Sequence, residues 1–307
     1  MGNVATRKAF GDAILRIGED PRVVVLTGDL KNSTHVEDFA AKFPERFIDV
    51  GIAEKNMIGM AAGLGLSGKV PFACSFAAFV ANRLEVVRLS VAYNQANVKI
   101  VGTHVGIGIG DDGATQMALE DIAAMRALPN MAIIQPCDEI ETHRAVDLLL
   151  EHEGPAFLRL MRQGTAPVHD ESYSFSFGRA ERLRDGTDVT IVATGAQVQE
   201  SLAAAESMEA EGISAGVLNV HTIQPLDAET IVEAVTRTHF VVTAEDHNVN
   251  GGLGGAVAEA ILESGVHAKL ARVGLRSFGE SGSTNELYAK YGLDAAGIAA
   301  TTRALLA

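Results

Sequence analysis

Aromatic residues and cysteines are scarce in this sequence of 307 residues, which contains no tryptophan and only two cysteines. Cys74 and Cys137 are too few for a disulfide framework, so we expect a protein of the reducing cytoplasm. Hydrophobic residues nevertheless make up 47% of the chain, a share that is ample for a folded interior and excludes general disorder.

Long apolar runs are also lacking. No uninterrupted apolar stretch approaches the roughly 20 residues that span a bilayer. The first residues, MGNVATRKAFGDAI, do not have the charged and then apolar layout of a signal peptide. We therefore expect neither a membrane partner nor export.

Cations are outnumbered by anions, with 25 lysines and arginines against 39 aspartates and glutamates and a net charge of -14. Phosphate backbones are bound by basic patches, so this balance argues against nucleic acid as the main partner. It leaves room for a small anionic ligand, which needs only a few local cations.

Short apolar runs alternate with amphipathic stretches along the whole chain, a pattern typical of parallel, doubly wound sheets. A polar, turn-rich segment interrupts the alternation, which restarts at a new strand at 189–193. We therefore predict an α/β fold of two doubly wound domains with mainly parallel sheets, covering 1–168 and 188–307 and joined by a linker at 169–187.

Two segments that follow predicted strands hold candidate site residues. Glu54 begins a glycine-containing helix at the kind of strand end where open α/β sheets bind ligands. An alternative is that Glu54 only complements the helix dipole. Phe76 and Phe79 stand three residues apart near a helix start, where two aromatics are usually part of the core.

A long glycine-rich loop at 102–131, GTHVGIGIGDDGATQMALEDIAAMRALPNM, also follows a strand. Its G-x-G-x-x-G pattern superficially indicates a dinucleotide loop, but the helix begins too late and no acidic residue ends a following strand at the expected distance. Such loops serve sites more often than they serve structure, which draws attention to His104 and Asp112.

Arginine and glycine motifs complete the candidates. Arg162 follows a strand in LRLMRQG, and its guanidinium suits phosphate or carboxylate, although a surface ion pair is the plainer interpretation. The GGLGG run at 251–255 opens a helix and either binds an anion or, as we favour, allows close helix packing. No H-E-x-x-H, C-x-x-C or EF-hand motif predicts a metal site.

Together these segments resemble the transketolase family of thiamine-diphosphate enzymes, and specifically its C-terminal half made as a separate chain. The likeness covers essentially the whole sequence: a pyrimidine-binding domain, then a transketolase C-terminal domain. It is carried by DVGIAEKNMIGMAAGLGLSG, by SFAAFV and by THVGIGIGDDGATQMALEDIAAMRALPNM, in that order.

The resemblance implies roles at the cofactor. Glu54 would be a catalytic residue that hydrogen-bonds N1′ of the aminopyrimidine and so assists removal of the proton from C2 of the thiazolium. Phe79 would stack on the pyrimidine with Phe76 beside it, and Asp29 would lie near the cofactor.

It also implies a substrate site. A donor phosphate would be held by four residues that are far apart in sequence: Arg7, Ser33, His104 and Arg162. His104 would be catalytic as well. Asp112 would bind a substrate hydroxyl, and Gln116 would contact the donor where many relatives have a histidine.

The sequence contains no G-D-G motif, with which the family anchors the diphosphate through a metal ion. We therefore expect the chain to be inactive alone. A partner N-terminal subunit would supply the diphosphate-binding domain and hold Mg²⁺ or Ca²⁺ in an α2β2 heterotetramer. Together they would transfer a two-carbon ketol unit between sugar phosphates in carbohydrate metabolism.

Three alternatives remain open at this point. The first is a subunit like 1-deoxyxylulose-5-phosphate synthase, which usually has arginine where His104 stands. The second is the β subunit of a 2-oxo acid dehydrogenase, whose substrates carry no phosphate. The third is a regulatory homologue that has lost the reaction, which the unusual Gln116 keeps possible.

Overall fold

The computed structural model describes residues 2–307 and contains two α/β units. The first unit has strands β1 (Val4–Ala5), β2 (Val23–Thr27), β3 (Phe47–Asp49), β4 (Val70–Phe76), β5 (Lys99–Thr103), β6 (Ala132–Ile134), β7 (Ala156–Arg159) and β8 (Gly164–Thr165). Its α-helices are α1 (Thr6–Ile17), α2 (Glu37–Lys42), α3 (Glu54–Leu66), α4 (Ala77–Ala81), α5 (Leu84–Val86), α6 (Asp121–Arg126) and α7 (Glu139–Glu151). A π-helix, Val87–Ala92, and short 3-10 turns at Pro44–Arg46 and Ile107–Ile109 complete it.

The second unit continues the alternation of strands and helices. Its strands are β9 (Glu181–Arg184), β10 (Val189–Ala193), β11 (Ala215–Asn219), β12 (Thr222–Gln224), β13 (Phe240–Asn248) and β14 (Lys269–Leu275). Its helices are α8 (Gln197–Glu209), α9 (Ala228–Thr238), α10 (Leu253–Ser264), α11 (Thr284–Tyr291) and α12 (Ala295–Leu306). No helix among residues 2–307 is both long and apolar enough to cross a membrane.

Two large sheets are present, and both are mainly parallel, which confirms the predicted fold class. The first has seven strands in the order β12-β6-β7-β5-β4-β2-β3, and the second has five in the order β14-β13-β10-β11-β9. Strands such as β2, β4 and β5 are buried along their whole length, as strands covered by helices on both faces must be. In both sheets the antiparallel strand lies at an edge.

Two short strands lie in segments that the sequence pattern treats as connections. The predicted linker at 169–187 contains β9, which pairs antiparallel with β11 as an edge strand. Its charged sequence, ERLR, is typical of a linker, but half-buried edge strands also tolerate charge. Strand β12 comes from the second unit in sequence yet joins the first sheet beside β6. The domain bounds themselves stay a prediction.

A buried histidine joins the two units at this connection. The ring nitrogens of His169 lie 2.9 Å from Asp138 Oδ2, just before α7, and 2.7 Å from Glu181 Oε2 on β9. Burial alone would lower the pKa of His169, but the hydrogen bonds to both carboxylates outweigh it and raise the pKa to about 10. His169 is therefore an imidazolium that bridges the units at neutral pH.

This bridge predicts how stability depends on pH. The folded chain holds the His169 proton up to about pH 10, whereas the unfolded chain releases it near about pH 6.5. The stabilisation is therefore complete below the unfolded pKa and is lost as the pH rises through the folded pKa. His169→Gln should lower the free energy of unfolding at neutral pH by about 2–4 kcal/mol and flatten this decline. Urea denaturation from neutral to alkaline pH measures the free energy of unfolding and its decline with pH. His267→Gln, at an exposed position, is the control. An equal decline with pH in wild type and His169→Gln would contradict the assignment.

Candidate functional site

The residues predicted from sequence converge on one edge of the first sheet. Strands β7, β5, β4, β2 and β3 are consecutive neighbours and all parallel, so their carboxyl ends meet at this edge. From one side to the other the edge carries Arg162, His104, Phe76, Asp29 and Glu54. This is the part of an open α/β sheet at which ligands bind.

Glu54 is the first residue of α3 and is 5% exposed. Ser75 Oγ donates a hydrogen bond to Glu54 Oε1 at 3.2 Å. Glu54 Oε2 accepts no hydrogen bond from the residues that the structure describes. Gly28 lies against the same carboxyl, because a Cβ there would stand 3.3 Å from Oε1. The helix N-terminus favours a carboxylate, so the site presents one carboxyl oxygen that is free to meet a ligand.

Three rings form a stack at the same sheet edge. Phe76 ends β4, and its ring lies 3.7 Å, centroid to centroid, from the imidazole of His104, with a 22° angle between the planes. Helix α4 begins at the next residue and places the ring of Phe79 5.2 Å, centroid to centroid, from that of Phe76 in a stacked geometry. Phe79 is half-buried, so this stack offers a partly open aromatic wall at this sheet edge.

His104 is held in one tautomer. Arg7 Nη1 lies 3.2 Å from Nε2, and Thr103 Oγ1 lies 2.8 Å from Nδ1. Arginine can only donate, so Nε2 accepts and Nδ1 carries the proton. Burial, followed by the charges of Arg7 and Arg162, lowers the pKa of His104 to about 3. The imidazole is therefore neutral at physiological pH.

Two arginines stand near this neutral ring, and each donates to a backbone carbonyl rather than to a carboxylate. Arg7 Nη1 donates to the Ser33 carbonyl at 2.8 Å, and Arg162 Nη1 donates to the Ile109 carbonyl at 2.8 Å. Burial and then the charge of Arg162 lower the pKa of Arg7, and Asp112 only partly opposes this. The buried Arg7 Nε has no acceptor among the described residues. Such a pair of cations favours an anion.

The pairing of β1 with β8 explains why Arg7 lies near Arg162. Strand β1 pairs with β8, so that Val4 lies opposite Thr165 just beyond Arg162. The backbone N–H of Arg7 donates to Met161 O at 3.3 Å, and Met161 N–H donates to Thr6 Oγ1 at 2.7 Å. Helix α1 therefore starts at the strand end that carries Arg162.

The remaining predicted residues lie at the margin. Asp29 has a positive φ of 62° and an exposed side chain, and its N–H donates to Asp49 Oδ1 at 3.0 Å. Asp112 is exposed, and Gln116 accepts a hydrogen bond from the adjacent Thr115. These three side chains form no hydrogen bond with Glu54 among the described residues.

Sequence reasoning missed three residues of the site. Ser75 holds Glu54, Thr103 fixes the His104 tautomer, and His35 is a further imidazole that influences His104. Ser75 and Thr103 directly precede Phe76 and His104 at strand ends, which is the signal that could have found them. His35 follows Ser33 by two residues and has a φ of 57°, which no sequence pattern indicates.

The GGLGG run does not offer an anion site. Glu245 Oε2 accepts the N–H of Leu253 at 2.7 Å, and Oε1 accepts that of Gly254 at 2.8 Å. A Cβ at Gly252 would lie 2.0 Å from the same carboxylate. The chain's own glutamate already occupies the N-terminus of α10, and the glycines allow the close packing that the sequence favours.

The groups within residues 2–307 that could hold a metal ion include none of the predicted site residues. They comprise Cys137 with Asp138 and His169, Glu141 with His169 and Glu181, and a partly exposed set on α1 and α7, Asp12 with Glu139 and His143. The first two sets form the connection between the units, where His169 already binds both carboxylates.

Family models match almost the entire chain. The transketolase pyrimidine-binding domain matches residues 2–167, and the transketolase C-terminal domain matches residues 178–298.

Named relatives match over nearly their full length as well. A putative transketolase C-terminal section from Methanocaldococcus jannaschii is 46% identical over 298 residues, which cover 95% of this chain and 93% of the relative. A 6-deoxy-6-sulfo-D-fructose transketolase subunit from Clostridium sp. is 44% identical over 292 residues, which cover 94% of this chain and 90% of the relative. A solved structure described as a split gene transketolase, inactive β4 tetramer, superimposes with a TM-score of 0.92 at 44% identity and covers 99% of this chain and 98% of that one.

The geometry around His104 predicts that this residue does not titrate near neutrality. In an isotope-labelled chain, its imidazole nitrogens should keep the resonances of the neutral Nδ1–H tautomer as the pH falls from about 8 to about 5, well past the ordinary histidine pKa. Arg7→Gln should raise the pKa of His104, because it removes the nearest cation. Arg237→Gln, at an exposed position, is the control; a His104 that titrates near about 6.5 in the wild type would refute this picture.

Proposed function

Because the chain belongs to the transketolase family and matches separately made C-terminal subunits, we propose that it is the C-terminal subunit of a thiamine-diphosphate-dependent transketolase. It would transfer a two-carbon ketol unit from a ketose phosphate to an aldose phosphate, in the cytoplasm. The observation that carries this proposal is the position of Glu54 and of the Arg7–His104–Arg162 cluster on one sheet edge.

The residues at Glu54 suit the pyrimidine part of the cofactor. Thiamine diphosphate supplies, when bound, a nucleophilic carbon that can break and form bonds next to a carbonyl. Glu54 would offer Oε2 to N1′ of the aminopyrimidine and hold a proton there, while Ser75 fixes the other oxygen. Phe76 and Phe79 would supply an apolar, planar surface for the ring.

The arginine cluster suits the phosphate of a sugar. Arg7 and Arg162 bring two positive charges, and Ser33, whose carbonyl accepts from Arg7, would add its hydroxyl. Neutral His104 orients Arg7 through Nε2 without adding a third charge. We assign Asp112 and Gln116 to the sugar hydroxyls, which fits their position on the exposed loop.

An apolar face next to Glu54 supports the need for a partner. Helix α3, the turn before it and the π-helix that packs on it expose large apolar side chains to solvent: Ile52, Met60, Leu66, Leu89 and Tyr93. Gly59 and Gly63 lie on the same helix, and a Cβ at either position would meet no atom within 4 Å. Glu54 opens this helix, so a chain that covers the face also closes the site.

We infer that the partner that covers this face is an N-terminal subunit with the diphosphate-binding domain, which would also hold Mg²⁺ or Ca²⁺. An α2β2 heterotetramer would place one cofactor at each contact between unlike chains. The related split transketolase, whose β4 tetramer is described as inactive, supports a requirement for the second chain.

Glu54→Gln tests the proposed role of the carboxyl. In a mixture of this chain, the N-terminal chain, thiamine diphosphate and Mg²⁺, the variant should lower kcat at least about 100-fold, because an amide cannot hold the proton at N1′. The measurement is ketol transfer from a ketose phosphate. Glu200→Gln, at a half-buried glutamate of the second unit, should leave kcat unchanged. Turnover by Glu54→Gln within about twofold of wild type would disprove the role.

Arg162→Ala tests the phosphate site separately. The variant should raise KM for a phosphorylated donor about 10–100-fold, since it removes a charge-assisted hydrogen bond. An unphosphorylated ketose should be used almost as well as before. Steady-state kinetics with both donors measure the difference, and Arg237→Ala serves as the exposed control. An equal change for both donors would show that Arg162 does not read the phosphate.

A further inference from the structure

A loop of the first unit contacts the second unit close to the substrate edge. Residues 106–113, here called the glycine loop, follow β5 and His104, and Gly106, Gly110 and Gly113 have positive φ angles of 70°, 81° and 79°. These glycines permit a path that brings the loop against β13 and α11. The loop therefore lies between the candidate site and the second unit.

Asp246 on β13 holds the start of this loop. Its Oδ1 accepts the N–H of Ile107 at 2.8 Å, and its Oδ2 accepts the N–H of Gly108 at 3.1 Å. Gly106 leaves room for the carboxylate, because a Cβ at that position would lie 2.1 Å from it. Asp246 is 3% exposed, so these bonds are formed away from solvent.

A tyrosine extends the contact toward the arginine cluster. Tyr288 Oη donates to Asp246 Oδ2 at 2.8 Å. With its only proton committed there, Tyr288 accepts from Gln163 Nε2 at 2.8 Å. Gln163 is the residue after Arg162, so the chain of hydrogen bonds ends beside the candidate phosphate ligand.

The loop itself provides a second connection to the same arginine. Arg162 Nη1 donates to Ile109 O at 2.8 Å, two residues beyond the N–H that Asp246 binds. Thr284 Oγ1, at the start of α11, donates to Gly108 O at 3.0 Å and fixes the loop from the same side. Arg162 is thus held both through its own guanidinium and through its neighbour in sequence.

We propose that Asp246 is a positioning residue, by which the second unit sets Arg162 in the phosphate cradle and so controls the affinity for phosphorylated sugars. The proposal rests on the proposed function. Asp246 touches neither substrate nor cofactor, and it acts only through the glycine loop and through Tyr288 with Gln163.

The chemistry of the three donors requires a carboxylate at this position. Two backbone N–H groups and one phenol O–H all point at the two oxygens of Asp246. An asparagine has nearly the same shape but would turn an NH₂ group toward at least one of these donors, which loses a bond and leaves a buried donor unpaired. Asp246→Asn therefore loosens the loop without removing volume.

Kinetics with the assembled enzyme test the proposal. Asp246→Asn should raise KM for a phosphorylated donor about tenfold, while kcat and KM for an unphosphorylated ketose stay within about twofold of wild type. Tyr288→Phe should also raise KM for the phosphorylated donor, but by a smaller factor than Asp246→Asn. The matched control is Asp227→Asn, at a buried aspartate of the same unit that caps α9 and does not contact the loop. It should lower stability and leave the ratio of the two KM values unchanged.

A loss that is equal for both donors, or the same KM shift in Asp227→Asn, would overturn the proposal. If Asp246→Asn does not fold, as circular dichroism would show, Tyr288→Phe decides by the same ratio. Titration of the chain alone with inorganic phosphate, followed by NMR at His104, gives a second readout. Equal phosphate affinity of wild type and Asp246→Asn would overturn the proposal for Asp246. Absence of ketol transfer in the wild-type mixture would instead count against the proposed function alone.

Discussion

The parallel hydrogen-bonded pairing of β7, β5, β4, β2 and β3 is the constraint on which the site depends. Parallel pairing fixes every carboxyl end on the same edge, so residues more than a hundred positions apart in sequence become neighbours without any further device. Phe76 lies opposite Thr103 in this register, and this pairing brings the ring of Phe76 onto the imidazole of His104. The short β1–β8 ladder then adds Arg7 to the group from the chain terminus.

Burial and charge together give this edge its chemistry. The pKa of His104 is lowered because the ring is buried and stands beside two arginines, which leaves the positive charge on guanidinium groups. The opposite outcome occurs at the connection between the units, where His169 lies between two carboxylates and its pKa is raised to about 10. The same residue type therefore acts as a neutral acceptor in one place and as a cationic bridge in the other, according to its neighbours.

The sequence was sufficient for the alternation of elements and for the edge at which Glu54, Phe76, His104 and Arg162 meet, because strand ends follow from the apolar runs. It was insufficient for β9 and β12, which are short edge strands whose polar residues resemble loop. It also could not indicate Asp246: the meeting of β13 with the glycine loop depends on contacts between the units, and no local pattern encodes them. Ser75 and Thr103 each precede a predicted site residue at a strand end, but they belong to buried apolar runs, where most residues are part of the core.

The chain is proposed to contribute one part of a cofactor site that a second chain completes. Calorimetric titration with thiamine diphosphate in the presence of Mg²⁺ tests this most directly, with this chain alone, the N-terminal chain alone and an equimolar mixture as the three samples. We expect tight binding, at one cofactor per pair of unlike chains, only in the mixture. Binding to this chain alone with the affinity of the mixture would contradict the proposal, as would a mixture that binds no more tightly than the N-terminal chain by itself.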